Sequence, residues 1–113
     1  MLLTDKQFEI MDLFWEAKNQ MTISRLLEIS TDRSWSEKSV YKIIAQLEKN
    51  GFLAVSENAD INYAKSYVPA ITFREYAAKL AIGMNKARKP SVRINLAEFM
   101  ETLEQMEDEW EQE

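Results

Sequence analysis

The stretch SWSEKSVYKIIAQLEKNG, Ser34 to Gly51, decides how the chain is read. Val40, Ile43, Ile44 and Leu47 recur at spacings of three and four, which puts them on one buried stripe of a helix. Ser36 stands where an N-cap is needed. Trp35 and Val40 then fill the two positions of a hydrophobic staple, and Gly51 supplies the left-handed residue on which helices commonly stop. The face opposite the stripe carries Lys38, Ser39, Tyr41, Lys42, Gln46 and Lys49. Taken alone, that face reads as solvated surface, because three lysines against Glu37 and Glu48 leave a net of only +1 between Ser36 and Gly51. Its place in the order of elements changes the reading.

Upstream, Thr4 and Gln7 form a capping-box pattern, and Phe8, Met11, Phe14 and Trp15 follow at helical spacing, so a helix is expected from about Asp5 to Lys18. Thr22 can cap a short second helix with Ile23, Leu26 and Leu27 facing inward, ending near the polar run Ser30 to Ser34. Downstream of Gly51 the period changes. FLAVSE and NYAKSYV are β-branched and aromatic runs of strand length, separated by a polar turn around Asn58, Ala59 and Asp60, which predicts a hairpin closed by Pro69. Thr72 and Glu75 repeat the capping box and open a helix whose apolar positions are Phe73, Tyr76, Ala77, Leu80, Ala81 and Met84. KARKPSV, Lys86 to Val92, breaks it. Asn95 can cap a last helix in which Leu96, Phe99, Leu103, Met106 and Trp110 form an a/d seam two heptads long. Three helices followed by a two-stranded hairpin is the order of a winged helix, in which the third helix docks in a major groove and the hairpin flanks it.

Composition narrows the function. The 113 residues, 46% hydrophobic, fit one compact domain with an appended segment, and only two glycines and two prolines favour long regular elements. With no cysteine and no histidine, the chain lacks disulfides, thiolate metal sites and the commonest general base, so neither a metal, a cofactor nor an enzyme is expected. No GxGxxG, phosphate loop or nucleophile elbow occurs. The acidic run EQMEDEWEQE reads as a solvated helix face and not as paired catalytic carboxylates. MLLTDKQFEI has no signal-peptide character and no later stretch reaches the roughly 18 apolar residues of a membrane span, so a cytoplasmic location is expected.

The net charge of -5 is unevenly spread. Residues 1–93 hold all 14 Lys and Arg against 11 Asp and Glu, a net of +3, whereas residues 94–113 hold 8 acidic groups and no basic one. Acidity belongs to the tail, and the remainder is mildly basic, which permits phosphate contact.

Three segments carry a family resemblance. FEIMDLFW (Phe8 to Trp15), WSEKSVYKIIAQLEKNGFL (Trp35 to Leu53) and YAKSYVPAITFREY (Tyr63 to Tyr76) are similar to the first helix, the recognition helix with the start of the wing, and the second wing strand of the penicillinase repressor family, the BlaI and MecI type regulators. The likeness runs in order over roughly residues 4–80. It implies a bacterial repressor that binds a palindromic double-stranded DNA operator as a homodimer, with the helices after the wing making the dimer. Carried onto this chain, it nominates Lys38, Ser39 and Lys42 for base-edge and phosphate contacts, with Tyr41, Gln46 and Lys49 beside them and Lys65 on the wing. Gln46 stands where the family usually has arginine and Lys42 where it usually has threonine, and the wing turn carries Glu57 and Asp60 in place of a basic cluster. Family members release DNA after proteolysis in the dimerisation region or, in a copper-responsive branch, through a cysteine cluster. The absence of cysteine excludes the second route here, and no cleavage site is assigned.

The expectation is therefore a mainly α protein with a small β-hairpin: a winged helix-turn-helix DNA-binding domain over residues 1–70, followed by C-terminal dimerisation helices over 71–113. Lys38 and Lys42 are suited to phosphates, and Ser39 and Gln46 to base edges. Trp15 and Trp35 are read as core and the methionines as packing. The seam of Leu96, Phe99, Leu103, Met106 and Trp110 can fold back on Phe73, Leu80 and Met84 of its own chain or pair between chains, and a bundle between two chains is the favoured reading. Partners would then be operator DNA, a second copy and a regulatory protease or other protein. The alternative is a winged-helix module that meets a protein partner through the same face.

Overall fold

The computed structural model describes residues 2–30, 35–56 and 65–111. Its elements are α1 (Asp5–Glu16), β1 (Met21–Thr22), α2 (Ile23–Ile29), α3 (Glu37–Lys49), β2 (Leu53–Val55), β3 (Ser66–Pro69), α4 (Phe73–Lys86), a 3-10 turn (Pro90–Val92) and α5 (Leu96–Glu111). They form two compact units, Met1–Tyr76 and Ala77–Glu113. A mainly helical chain with a small antiparallel sheet, ordered in this way, is a winged helix with helices appended.

Each expected cap is present. The Thr4 hydroxyl accepts from the Gln7 N–H while the Gln7 side chain accepts from the Thr4 N–H, completing the capping box of α1. Thr22 caps α2 through Arg25 N, and Ser36 caps α3 through Ser39 N. Such caps are typically worth about 1 kcal/mol each. At the far end of α3, Gly51 takes φ 83°, Phe52 N donates to Leu47 O at 2.9 Å, and Gly51 N donates to Glu48 O at 3.2 Å. These two bonds are the Schellman arrangement. They satisfy carbonyls that the helix end would otherwise leave unpaired and set the direction in which the chain enters β2.

The core of the first unit is built from the predicted stripes. Ile10, Met11 and Phe14 of α1, Leu26 of α2, Val40, Ile44 and Leu47 of α3, and Leu53 of β2 are almost wholly removed from solvent. Full burial of side chains of this size contributes about 1.5–3 kcal/mol apiece. The turn of the helix-turn-helix is held by Ser30, whose buried hydroxyl donates to Leu26 O at 2.6 Å and accepts from Trp35 Nε1 at 3.3 Å. Trp35 thus supports the start of α3 as the staple reading expected.

Two expectations need correction. The first helix ends at Glu16, two residues short of Lys18, because Ala17 is already extended (φ -69°, ψ 135°) and starts the connection to β1. The hairpin also has a third strand: the sheet order is β1-β3-β2, antiparallel throughout, with Met21 opposite Tyr67 and Thr22 opposite Ser66. A two-residue strand has no periodicity to announce it. Between β2 and β3 the register pairs Leu53 with Pro69, Ala54 with Val68 and Val55 with Tyr67. Flanking bonds from Ser56 N to Ser66 O and from Ala70 N to Phe52 O extend the ladder past both strand ends. The expected wing turn around Asn58, Ala59 and Asp60, together with Glu57 and the polar run Thr31 to Ser34, lies outside the described residues.

An aromatic cluster closes the first unit. Trp15 lies 5.3 Å from Phe73 and 5.8 Å from Tyr76 between ring centroids, Phe8 meets all three rings, and Trp15 Nε1 donates to Ile71 O at 2.9 Å. Tyr76 is buried, its hydroxyl accepting from Leu3 N at 3.0 Å. Trp15 therefore packs, as expected, and binds the start of α4 to α1.

In the second unit two side chains order the link from α4 to α5. The Asn85 amide bonds both the N–H and the C=O of Ile94, at 2.9 and 3.1 Å. The Arg93 guanidinium donates to the carbonyls of Arg88 and Lys86, placing a cation at the C-terminal end of α4 where the helix dipole favours it. Asn95 then caps α5 through Ala97 N and Glu98 N.

Candidate nucleic-acid interface

The helical pitch of about 100° per residue settles how the polar residues of α3 are arranged. Lys38, Lys42 and Lys49 follow one row along the helix, roughly opposite the centre of the buried stripe. Glu37 and Glu48 lie on the flank, about 100° or more round the cylinder from that row. A net charge of +1 thus resolves into a cationic row with the carboxylates set aside from it. All three lysines are exposed.

Two clefts border the row, one on each side. The first is lined by Thr4, Asp5, Lys6 and Gln7 from the start of α1 and by Ser39, Lys42, Ile43 and Gln46 from α3. Within it the Gln7 amide is used at both ends: its oxygen accepts from Thr4 N at 3.0 Å and its nitrogen donates to Gln46 Oε1 at 3.4 Å. That contact engages the Gln46 carbonyl and leaves its NH2 group to donate, which matches the acceptors that purine N7, guanine O6 and thymine O4 present in a major groove. Ser39, half-buried here, accepts from the Ser36 hydroxyl at 2.9 Å.

On the opposite side, Tyr41 of α3, Thr22, Ile23 and Ser24 at the start of α2, and Lys65 and Tyr67 at the start of β3 line the second cleft. Lys65 is exposed and Tyr67 buried beneath it. Burial, then the nearby Glu48 carboxylate and Tyr41, push the Tyr67 hydroxyl above its usual range, so it stays protonated and adds no negative charge at neutral pH. The third strand has a use in this setting. By pairing β1 with β3 it fixes the start of α2 beside Lys65, so α2, α3 and the wing strand share one border.

All seven nominated residues, Lys38, Ser39, Tyr41, Lys42, Gln46, Lys49 and Lys65, reach one surface of the first unit, and none is buried. Sequence reasoning missed Lys6, Gln7 and Ser24. Their neighbourhood with α3 depends on how three helices pack, and nothing in the local pattern of TDKQ or TISR reveals it. The seam residues Leu96, Leu103, Met106 and Trp110 belong to the second unit and are exposed in the single chain, Trp110 at 78%, with Phe99 half-buried. Among the described residues no group of three or more His, Cys, Asp or Glu is placed to hold a metal, and no helix is long and apolar enough to cross a membrane.

A helix-turn-helix whose second helix carries an outward cationic row, flanked by a strand-borne lysine, defines a winged-helix DNA-binding regulator. Comparison with known proteins agrees. The family model described as penicillinase repressor matches residues 3–112, and the chain belongs to that family, whose members are DNA-binding repressors and not enzymes. It is 26% identical over 110 residues to the methicillin resistance regulatory protein MecI of Mammaliicoccus sciuri, a match spanning 97% of this chain and 88% of that protein. Among solved structures it is similar to the ferric uptake regulator Fur of Helicobacter pylori, with a TM-score of 0.50 and 20% identity over 60% of this chain and 47% of that one. That likeness, covering less than half of the longer protein, concerns the fold alone.

Proposed function

We propose that this chain represses transcription by occupying an inverted-repeat operator as a homodimer, with one α3 in the major groove of each half-site. Lys38, Lys42 and Lys49 neutralise phosphates, Ser39 and Gln46 meet base edges, Tyr41 contacts a phosphate or a thymine methyl, and Lys65 reaches the backbone from the wing. The observation that carries this reading is the segregation of charge on α3: the lysines form one row opposite the buried stripe, and the acids lie aside. A surface of that kind binds phosphate through release of counterions, and its base-reading groups stand beside the row. Dimerisation uses Leu96, Phe99, Leu103, Met106 and Trp110, an apolar row that the single chain leaves uncovered apart from Phe99. Two half-site contacts joined in this way multiply a weak single contact.

Equilibrium titration of duplex DNA at two ionic strengths tests the reading. Affinity should fall steeply with salt, by a log-log slope of about 0.9 for each phosphate neutralised. Absence of DNA binding by folded protein, or binding indifferent to salt, would assign the α3 face to a protein partner instead.

A further inference from the structure

The second unit separates its charges as sharply as α3 does. No Asp or Glu occurs between Glu75 and Glu98, while Lys79, Lys86, Arg88, Lys89 and Arg93 fall in that interval; α5 carries no Lys or Arg at all. Along α5, Glu104 and Glu107 lie beside the apolar row of Leu103, Met106 and Trp110. At the other end of the unit, a cleft of about 380 Å³ is lined mainly by apolar side chains, among them Leu80, Ala81, Met84, Ile94 and Phe99, with Arg88 as its charged member. Among the described residues no carboxylate of α5 forms an ion pair with the basic link of its own chain. Arg93 is committed to backbone carbonyls, whereas the side chains of Arg88 and Lys89 are exposed.

An apolar row edged with acid and an apolar cleft edged with base are complementary, and one chain carries both. Resting on the homodimer reading above, we propose that the later half of α5 from a second copy occupies the cleft beside Leu80, Met84 and Ile94, with its Glu104 and Glu107 against Arg88 and Lys89. Under two-fold symmetry each copy gives one acidic helix and receives one, so every charge contact is made twice. The surface thus fits its own copy in a single register. It also disfavours a pairing that lays two α5 helices side by side along their acidic edges, since like charges then face one another.

Charge exchange tests this in the full-length chain. One variant carries Glu104→Lys and Glu107→Lys, a second carries Arg88→Glu and Lys89→Glu, and all four positions are solvent-exposed, so both variants should retain the parent's helical circular dichroism. At low salt, sedimentation should show each variant alone dissociating at least about tenfold more readily than the parent, because four attractive contacts become repulsive. Mixing the two variants should restore association as a heterodimer, in which a basic helix meets an acidic link and an acidic helix meets a basic one. Parent-like dimers from each variant, with random exchange on mixing, would overturn the register while leaving the homodimer intact. A parent that is monomeric at all accessible concentrations would remove the homodimer reading and this proposal with it. If Arg88→Glu with Lys89→Glu leaves the dimer mass unchanged but weakens DNA binding, the link is a phosphate contact and the proposal is wrong.

Discussion

Replacing Lys42 with alanine removes the central cation of the α3 row. Lys42 is exposed, lies between Lys38 and Lys49, and lines the cleft that Gln46 shares with α1, so its loss subtracts a charge without opening the core. In a homodimer the substitution occurs in both half-sites. With about 0.9 in log-log slope for each phosphate neutralised, the salt dependence of DNA binding should become shallower by about 1.8. Between about 50 and 200 mM salt, a fourfold change, the parent should then lose roughly tenfold more affinity than the variant. The assay is fluorescence anisotropy with a labelled duplex at four or more salt concentrations, with unfolding curves confirming equal stability. The effect should be uniform across DNA sequences, because a phosphate contact carries no base information. A slope reduced by only about 0.9 would mean that one copy of the face engages DNA. Unchanged slope and affinity would refute the assignment of the α3 row to phosphate.

Other consequences concern single residues. Gly51→Ala should lower stability by about 1–2 kcal/mol in urea unfolding, because an added Cβ meets no atom within 4 Å and only the left-handed backbone opposes it; Gly51→Asn should cost less. Equal stability of Gly51→Ala and the parent would contradict the Schellman account. Gln7→Ala should relax the same base preference that Gln46→Ala relaxes, and the double variant should resemble either single one, because Gln7 acts through the Gln46 amide. Additive losses in a binding-site selection would separate the two residues. Tyr67 has a raised pKa in the folded chain, so its contribution is complete below the ordinary tyrosine value of about 10 and is lost as pH rises through the raised value. Stability should therefore fall above pH about 10, and less so in Tyr67→Phe; parallel curves for the two proteins would exclude Tyr67 as the source.

Caps and stripes were the legible part of this chain. Thr4, Thr22, Ser36, Thr72 and Asn95 each act within three or four residues of themselves, as does the left-handed Gly51, so the helix starts and the end of α3 follow from local chemistry. The buried stripe of Val40, Ile43, Ile44 and Leu47 is equally local. β1 was not legible, because two residues pair only where Tyr67 and Ser66 arrive from more than 40 positions away, and a strand of that length has no alternation to read. The early end of α1 has the same cause, since Ala17 is extended in order to reach that strand. Of the candidate site, the α3 residues could be nominated from their face. The contact between Gln7 and Gln46 could not, because it depends on the packing of α1 against α3.

Charge also has to be read at the scale on which it acts. Summed over the chain it is acidic, and summed over α3 it is nearly neutral. Resolved by helix face, the same residues give a cationic row on α3 and, in the second unit, a basic link followed by an acidic helix. The first arrangement faces phosphate, and the second supports the pairing of two copies.

Selection of bound duplexes from a random DNA pool, at moderate salt and with the folded full-length chain, tests the central claim most directly. The account predicts enrichment of an inverted repeat whose half-site centres are separated by about one helical turn, 34–36 Å, or a multiple of it. Failure to enrich any sequence, or enrichment of a lone unrepeated site, would contradict it.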